Sequence, residues 1–276
     1  MKFSVITINY NNANGLRRTI ESVVAQTYMG YEYFVIDGGS TDGSVEVIKE
    51  YTNKINYWLS ESDNGIYHAM NKGIAAAKGE YCNFLNSGDV FYDKDVLQKV
   101  QSYGKTEDVV CGDIVYPGQG RWTNPDKLTM KRFYKNSLFH QASFIRTSLL
   151  KEKPYDETMK IAADWKWFIE TLIFQNASYV HIPEIIVNYE GGGISEAGTL
   201  LGKKERKDTL QSFLPVRVLE DYQDYVYGVS PYRRLFATVE DIKWMKSLIY
   251  TSNVCILKLL NLKIRARWIK ELPWVI

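Results

Sequence analysis

The 276 residues, 45% hydrophobic and 24% charged, describe a globular protein with enough apolar material for one large domain or a domain plus an appendage. A net charge of +2 excludes general attraction to nucleic acid, and three widely spaced cysteines, Cys82, Cys111 and Cys255, fit neither a disulfide framework nor a zinc site. No apolar run reaches the ~18–20 residues of a membrane span, and the N-terminus enters a strand pattern without a signal sequence, so a cytoplasmic location is expected.

Phe3–Tyr10 is rich in β-branched and aromatic residues and reads as a first strand. After Asn11–Asn14, which offer N-caps, Leu16, Ile20, Val23 and Val24 repeat at helical spacing. Tyr31–Asp37 is a second strand, and Ser44 to Tyr51 a helix with Val45 and Ile48 inward. Ile55–Leu59 is a third strand, Ile66–Lys78 a helix with Met70, Ile74 and Ala77 on one face, and Tyr81–Leu85 a fourth strand. This alternation predicts an α/β fold with a mostly parallel sheet flanked by helices. Beyond it come a helix over Asp95–Tyr103, a strand over Asp108–Tyr116 and a polar loop from Pro117 to Met130. A strand over Phe139–Arg146, a helix over Ile161–Gln175 and two short strands, Tyr179–Ile182 and Ile185–Tyr189, follow. The glycines at 191–193 form a loop, and the remainder reads as a helical extension.

Asp37, Asp63 and Asp89 fall at or just past predicted strand ends. A parallel sheet brings such ends to one edge, where open α/β sheets bind ligands. Any one of these acids would serve equally well as a turn cap. Three on one edge suit a base, a ribose and a cation held against a diphosphate. The run Gly38–Ser44 lacks both the lysine of a P-loop and the G-x-G-x-x-G spacing, so its glycines read as a tight turn before a capped helix.

The segments VITINYN (5–11), IDGGSTDGS (36–44), DNGIYHAMNKGI (63–74) and FLNSGD (84–89) together resemble family 2 glycosyltransferases over residues 1–115. The resemblance implies a GT-A fold, with residues 1–115 as the nucleotide-sugar half and 116–229 as the acceptor half of the same domain. It implies inverting transfer of one sugar from a nucleotide diphosphate donor, a UDP-sugar, to a saccharide or lipid-linked acceptor in surface polysaccharide synthesis. Asn9, Tyr10, Asn11 and Asp37 would hold the nucleotide, with Asp63 beside it. Asn86–Asp89 would occupy the D-x-D position. Only Asp89 is acidic there and would hold Mg²⁺ or Mn²⁺, while Asn86 offers a neutral oxygen. Asp164, in Ala162-Ala163-Asp164-Trp165, matches the acceptor-side acid and would be the catalytic base, and His140-Gln141 resembles an acceptor-side pair. The Q-x-x-R-W run of processive members is absent, which favours single additions.

Residues 230–276 carry nine Lys/Arg against three acids, interleaved with Leu, Ile and Trp. A basic amphipathic helical tail of this kind suits the anionic inner face of a membrane. Packing on the domain or on a second subunit of a homo-oligomer would bury the same pattern. Two other readings of the chain remain: a catalytically weakened nucleotide-sugar-binding module, and a sugar nucleotidyltransferase.

Overall fold

The computed structural model describes residues 2–191, 199–227 and Thr251. Strands β1 (Phe3–Asn9) and β2 (Tyr31–Asp37) are buried on both faces nearly throughout. That is why they carry neighbouring apolar residues, Val5-Ile6 and Tyr33-Phe34-Val35-Ile36, rather than strict alternation. They pair in parallel from Phe3 opposite Tyr31 to Asn9 opposite Asp37. β3 (Tyr57–Ser60) lies outside β2 and β4 (Tyr81–Phe84) beside β1, both parallel. The crossovers are α1 (Ala13–Val24), α2 (Ser44–Glu50) and α3 (Ile66–Ala76). α1 starts where the Asn12 side chain accepts the Gly15 N–H, and it buries Leu16, Ile20 and Val23. Asn9, Asp37, Asp63 and Asp89 are thereby gathered along the carboxyl edge.

The second half adds β5 (Val90–Phe91), α4 (Val96–Ser102), β6 (Val109–Tyr116), β7 (Gly120–Trp122), α5 (Met130–Lys135), β8 (Ser143–Arg146), α6 (Thr147–Glu152), α7 (Ala163–Phe168) and β9 (Tyr179–Asn188). The sheet runs β3-β2-β1-β4-β8-β6-β9-β5, with β7 on the side of β6. It is parallel as far as β4 and mixed beyond, because β8 inserts antiparallel between β4 and β6. Helices α8 (Thr199–Phe213) and α9 (Val216–Tyr227) follow. The chain divides into two units, residues 1–209 with the sheet, and residues 210–276. The basic tail expected at 230–276 lies outside the described residues, Thr251 apart, as do residues 192–195 of the glycine loop. Among the described residues no helix is long and apolar enough to cross a membrane.

Four expected elements differ. The strand expected over Phe139–Arg146 begins only at Ser143, because His140–Ala142 forms a 3-10 turn. Buried Asn83 of β4 holds that turn by donating to the carbonyls of Gln141 (2.8 Å) and Ser143 (3.1 Å). The two strands expected around Pro183 are one strand, β9. Its register against β6 shifts between Cys111 and Asp113, and a bulge there accommodates a residue with no N–H. Gly112 permits this close approach, since a Cβ would stand 2.6 Å from the Glu184 carbonyl. The loop expected over Pro117–Met130 contains β7. The helix expected over Ile161–Gln175 starts at Ala163 and widens into a π-helical turn over Ile169–Phe174. Trp165 and Trp167 are almost wholly buried there, and each indole donates to a backbone carbonyl, Phe133 and Lys153 respectively.

Candidate active site

Asn9 and Asp37 face each other at the ends of β1 and β2, and the Asn9 amide donates to Asp37 Oδ1 at 2.7 Å. The Ser40 hydroxyl, the Ser40 N–H and the Ser60 hydroxyl fill the remaining positions of the carboxylate. Burial resists ionisation of Asp37, but these donors outweigh it and hold the carboxyl below its ordinary range. All four donors come from the protein, so Asp37 fixes the shape of the 38–44 turn. Asn11, with φ of 50°, clasps that turn by donating its N–H to Ser40 and accepting from the Thr41 N–H. Tyr10 stands 68% exposed at the rim. Half-buried Asp63 lies against Gly38 and accepts the Gly65 N–H.

Farther along the edge, an open pocket brings together Tyr67, Asn86, Asp89, His140, Gln141, Asp164, Tyr189 and Glu190. Asn12 ties the two regions by donating to the Ser87 carbonyl. Asp89 is 4% exposed and accepts the Glu190 N–H at 2.9 Å. Burial pushes its carboxyl up to about 6. Gly88, with φ of 106°, leaves room for the Glu190 carboxylate directly over its Cα, and Arg18 of α1 pairs with that carboxylate.

Asp164 sits on the first turn of α7, whose N-cap is Ala162. An aspartate so near a helix start reads as a cap. Its Oδ1 instead accepts the Tyr67 hydroxyl at 2.8 Å, and its Oδ2 lies 3.4 Å from His140 Nδ1. His140 Nε2 contacts the Asn86 amide at 3.3 Å. Burial opposes ionisation of Asp164, but His140 and Tyr67 outweigh it and keep the carboxyl below its usual value. The segment leading into α7 is held by Glu205 of α8. Its carboxylate accepts the N–H groups of Lys160 (2.7 Å), Ile161 (3.0 Å) and Ala162 (2.9 Å). Glu205→Ala is expected to cost about 1–3 kcal/mol by orphaning these donors and to lower the melting temperature by several degrees in a calorimeter.

Residues 4–166, more than half of the chain, match the description of glycosyl transferase family 2. The chain belongs to that family. It is 39% identical over 179 residues to an uncharacterised glycosyltransferase of Mycobacterium tuberculosis, covering 62% of this chain and 68% of that one. It is 31% identical over 206 residues to a PGL/p-HBAD biosynthesis glycosyltransferase of Mycobacterium bovis, covering 70% and 78%. Among solved structures, S. aureus TarS 1–349 in complex with UDP-GlcNAc superposes with a TM-score of 0.63 at 20% identity, over 83% of this chain and 74% of that one. The chain spans 45% of the longer TarS chain. Glucosyl-3-phosphoglycerate synthase from Mycobacterium tuberculosis, in complex with Mn²⁺, UDP and glucosyl-3-phosphoglycerate, has a TM-score of 0.55 at 15% identity, over 76% and 79%.

The fold of this family 2 glycosyltransferase is thus the GT-A type. Among the described residues no trio of His, Cys, Asp or Glu could cage a metal ion. The donor set at β4 nevertheless fits a hard divalent cation. Asp89 supplies one carboxylate, and the Asn86 Oδ1 is buried without a hydrogen-bond partner. Magnesium-like ions are commonly held by one or two carboxylates, with substrate phosphates and water completing the shell. Tyr67, Glu190, Arg18 and Glu205 are the site residues that sequence patterning missed. Tyr67 had a signal, since it lies three residues before Met70 on the inward face of α3 and carries a polar tip.

Proposed function

We propose that the protein transfers one sugar, with inversion, from a UDP-sugar to a saccharide or lipid-linked acceptor in surface polysaccharide synthesis. One observation carries this reading: Asp164, nearly buried and held by the Tyr67 hydroxyl beside His140, shares a single pocket with Asp89 and Asn86. Asn9, Tyr10, Asn11, Asp37 and Asp63 shape the nucleotide end of the cleft. Asp89, with the neutral oxygen of Asn86, would hold Mg²⁺ or Mn²⁺. That cation would neutralise charge on the departing diphosphate. His140 and Gln141 border the acceptor hydroxyl. Asp164 accepts the proton of that hydroxyl as its oxygen bonds to the anomeric carbon. Its Oδ1 is committed to Tyr67, and the long 3.4 Å contact to His140 leaves Oδ2 the oxygen more open to the acceptor.

The protein works beside its acceptor on the cytoplasmic side of a membrane, reached through the basic tail. A thermal-shift series over UDP-, GDP-, dTDP- and CMP-sugars, with and without Mn²⁺, tests the donor assignment. A UDP-sugar at ~100 times its Kd adds ~2.7 kcal/mol and raises the melting temperature by several degrees. A shift with GDP-sugars alone refutes the uridine assignment, and no shift with any donor refutes the reading.

A further inference from the structure

The sheet continues past the pocket as an aromatic surface that the reading above leaves unused. In the β6–β7 hairpin Ile114 stands opposite Trp122 and Tyr116 opposite Gly120. Alternation along each strand makes Tyr116 and Trp122 diagonal neighbours on one face. Gly120 presents no side chain opposite Tyr116, so the indole lies almost flat on the phenol ring, with centroids 5.2 Å apart and planes at 22°. Tyr116 meets Tyr189 at 5.4 Å, and Trp122 meets Phe139 at 6.3 Å. Tyr189 lines the pocket that contains Asp164, and Phe139 directly precedes His140. The rings form a path from the pocket wall out along the hairpin.

On this face Ile114 belongs to the core at 2% exposure, whereas Trp122 is 41% exposed. The opposite face of the hairpin is locked. Arg121 Nε donates to fully buried Asp113 at 2.8 Å, and Nη2 donates to the Pro183 carbonyl at 2.9 Å. A tryptophan held flat on an anchored hairpin gives up little freedom when something settles on it. The C–H face of a pyranose suits the electron-rich face of such a ring. A flexible acyl chain would bury apolar area there, but it has no flat C–H face to match the fixed ring and would lose more freedom on settling.

We propose that Trp122, backed by Tyr116 and Tyr189, is the subsite for a second sugar ring of the acceptor, beyond the ring whose hydroxyl meets Asp164. The acceptor is then an oligosaccharide or a glycosylated glycoside rather than a simple alcohol. This inference rests on the sugar-transfer reading, and the test separates the two. Full-length protein labelled with 5-fluorotryptophan has seven fluorine signals, one per tryptophan. Trp122→Phe identifies the signal of residue 122. With UDP and Mn²⁺ present, the protein is titrated with cellobiose, lactose, maltose, chitobiose and their methyl glycosides. At least one disaccharide is expected to move the Trp122 signal more than its monosaccharide does. Trp122→Ala is expected to weaken that disaccharide ~10-fold while UDP affinity stays the same. A disaccharide that binds without moving the signal, or a panel that moves it nowhere, overturns the proposal. Loss of UDP binding in the unsubstituted protein, with the saccharide response intact, counts against the sugar-transfer reading alone.

Discussion

Asp164→Asn is expected to lower turnover ~1,000-fold while leaving donor affinity and folding essentially unchanged. The amide matches the carboxylate in shape, and its oxygen can still accept the Tyr67 hydroxyl that Asp164 Oδ1 accepts at 2.8 Å. What it cannot do is take a proton from the acceptor as the new bond forms. A thousandfold corresponds to about 4 kcal/mol of lost transition-state stabilisation. Product formation with a verified donor and acceptor measures the first quantity, and UDP titration calorimetry the second. Turnover close to that of the unsubstituted protein would remove Asp164 from the proposed chemistry.

Asp89→Asn should change stability and binding in opposite directions. Burial pushes the Asp89 carboxyl from 3.8 up to about 6. Between those values the folded chain binds the proton more tightly than the unfolded chain does. The resulting stabilisation is complete below the unfolded value and is lost as pH rises through about 6. At pH 7 the ionised group therefore costs on the order of 3 kcal/mol when no cation is bound. Asparagine avoids that cost and can still accept the Glu190 N–H. The variant is expected to melt several degrees higher than the parent at pH 7, with no advantage below pH 4. It should also lose ~100-fold of the Mn²⁺-dependent gain in UDP affinity. A variant that melts lower at pH 7 and still responds to Mn²⁺ would contradict both statements.

The first four strands and three crossover helices are legible in the sequence because they obey local rules. β1, β2 and β4 are buried nearly along their length and carry apolar residues at neighbouring positions, and α1 shows its helical period and its asparagine cap. The elements misjudged are those set by distant partners. His140–Ala142 looks like the start of a strand until buried Asn83 is seen pulling two of its carbonyls into a turn. β7 hides among glycines and a proline because only its pairing with β6 defines it. The site divides in the same way. Asn86, Asp89, His140, Gln141 and Asp164 were all named from short motifs, and the structure brings these five into one pocket. Asp37 and Asp63 lie farther along the edge, tied to Ser40, Ser60 and Gly38 rather than lining that pocket. Glu190 and Glu205 had no local signal, since neither acts on its own neighbourhood. Each reaches a turn that the chain laid down far earlier.

The insertion of β8 between β4 and β6 bears on how the molecule is made. A ribosome delivers β4 about sixty residues before the strand that covers its free side. During that interval Tyr81–Phe84 presents unpaired backbone on a largely apolar ribbon, the kind of border that recruits other chains. The first four strands thus exist long before β8 covers their open side, and they depend on later synthesis for protection from aggregation.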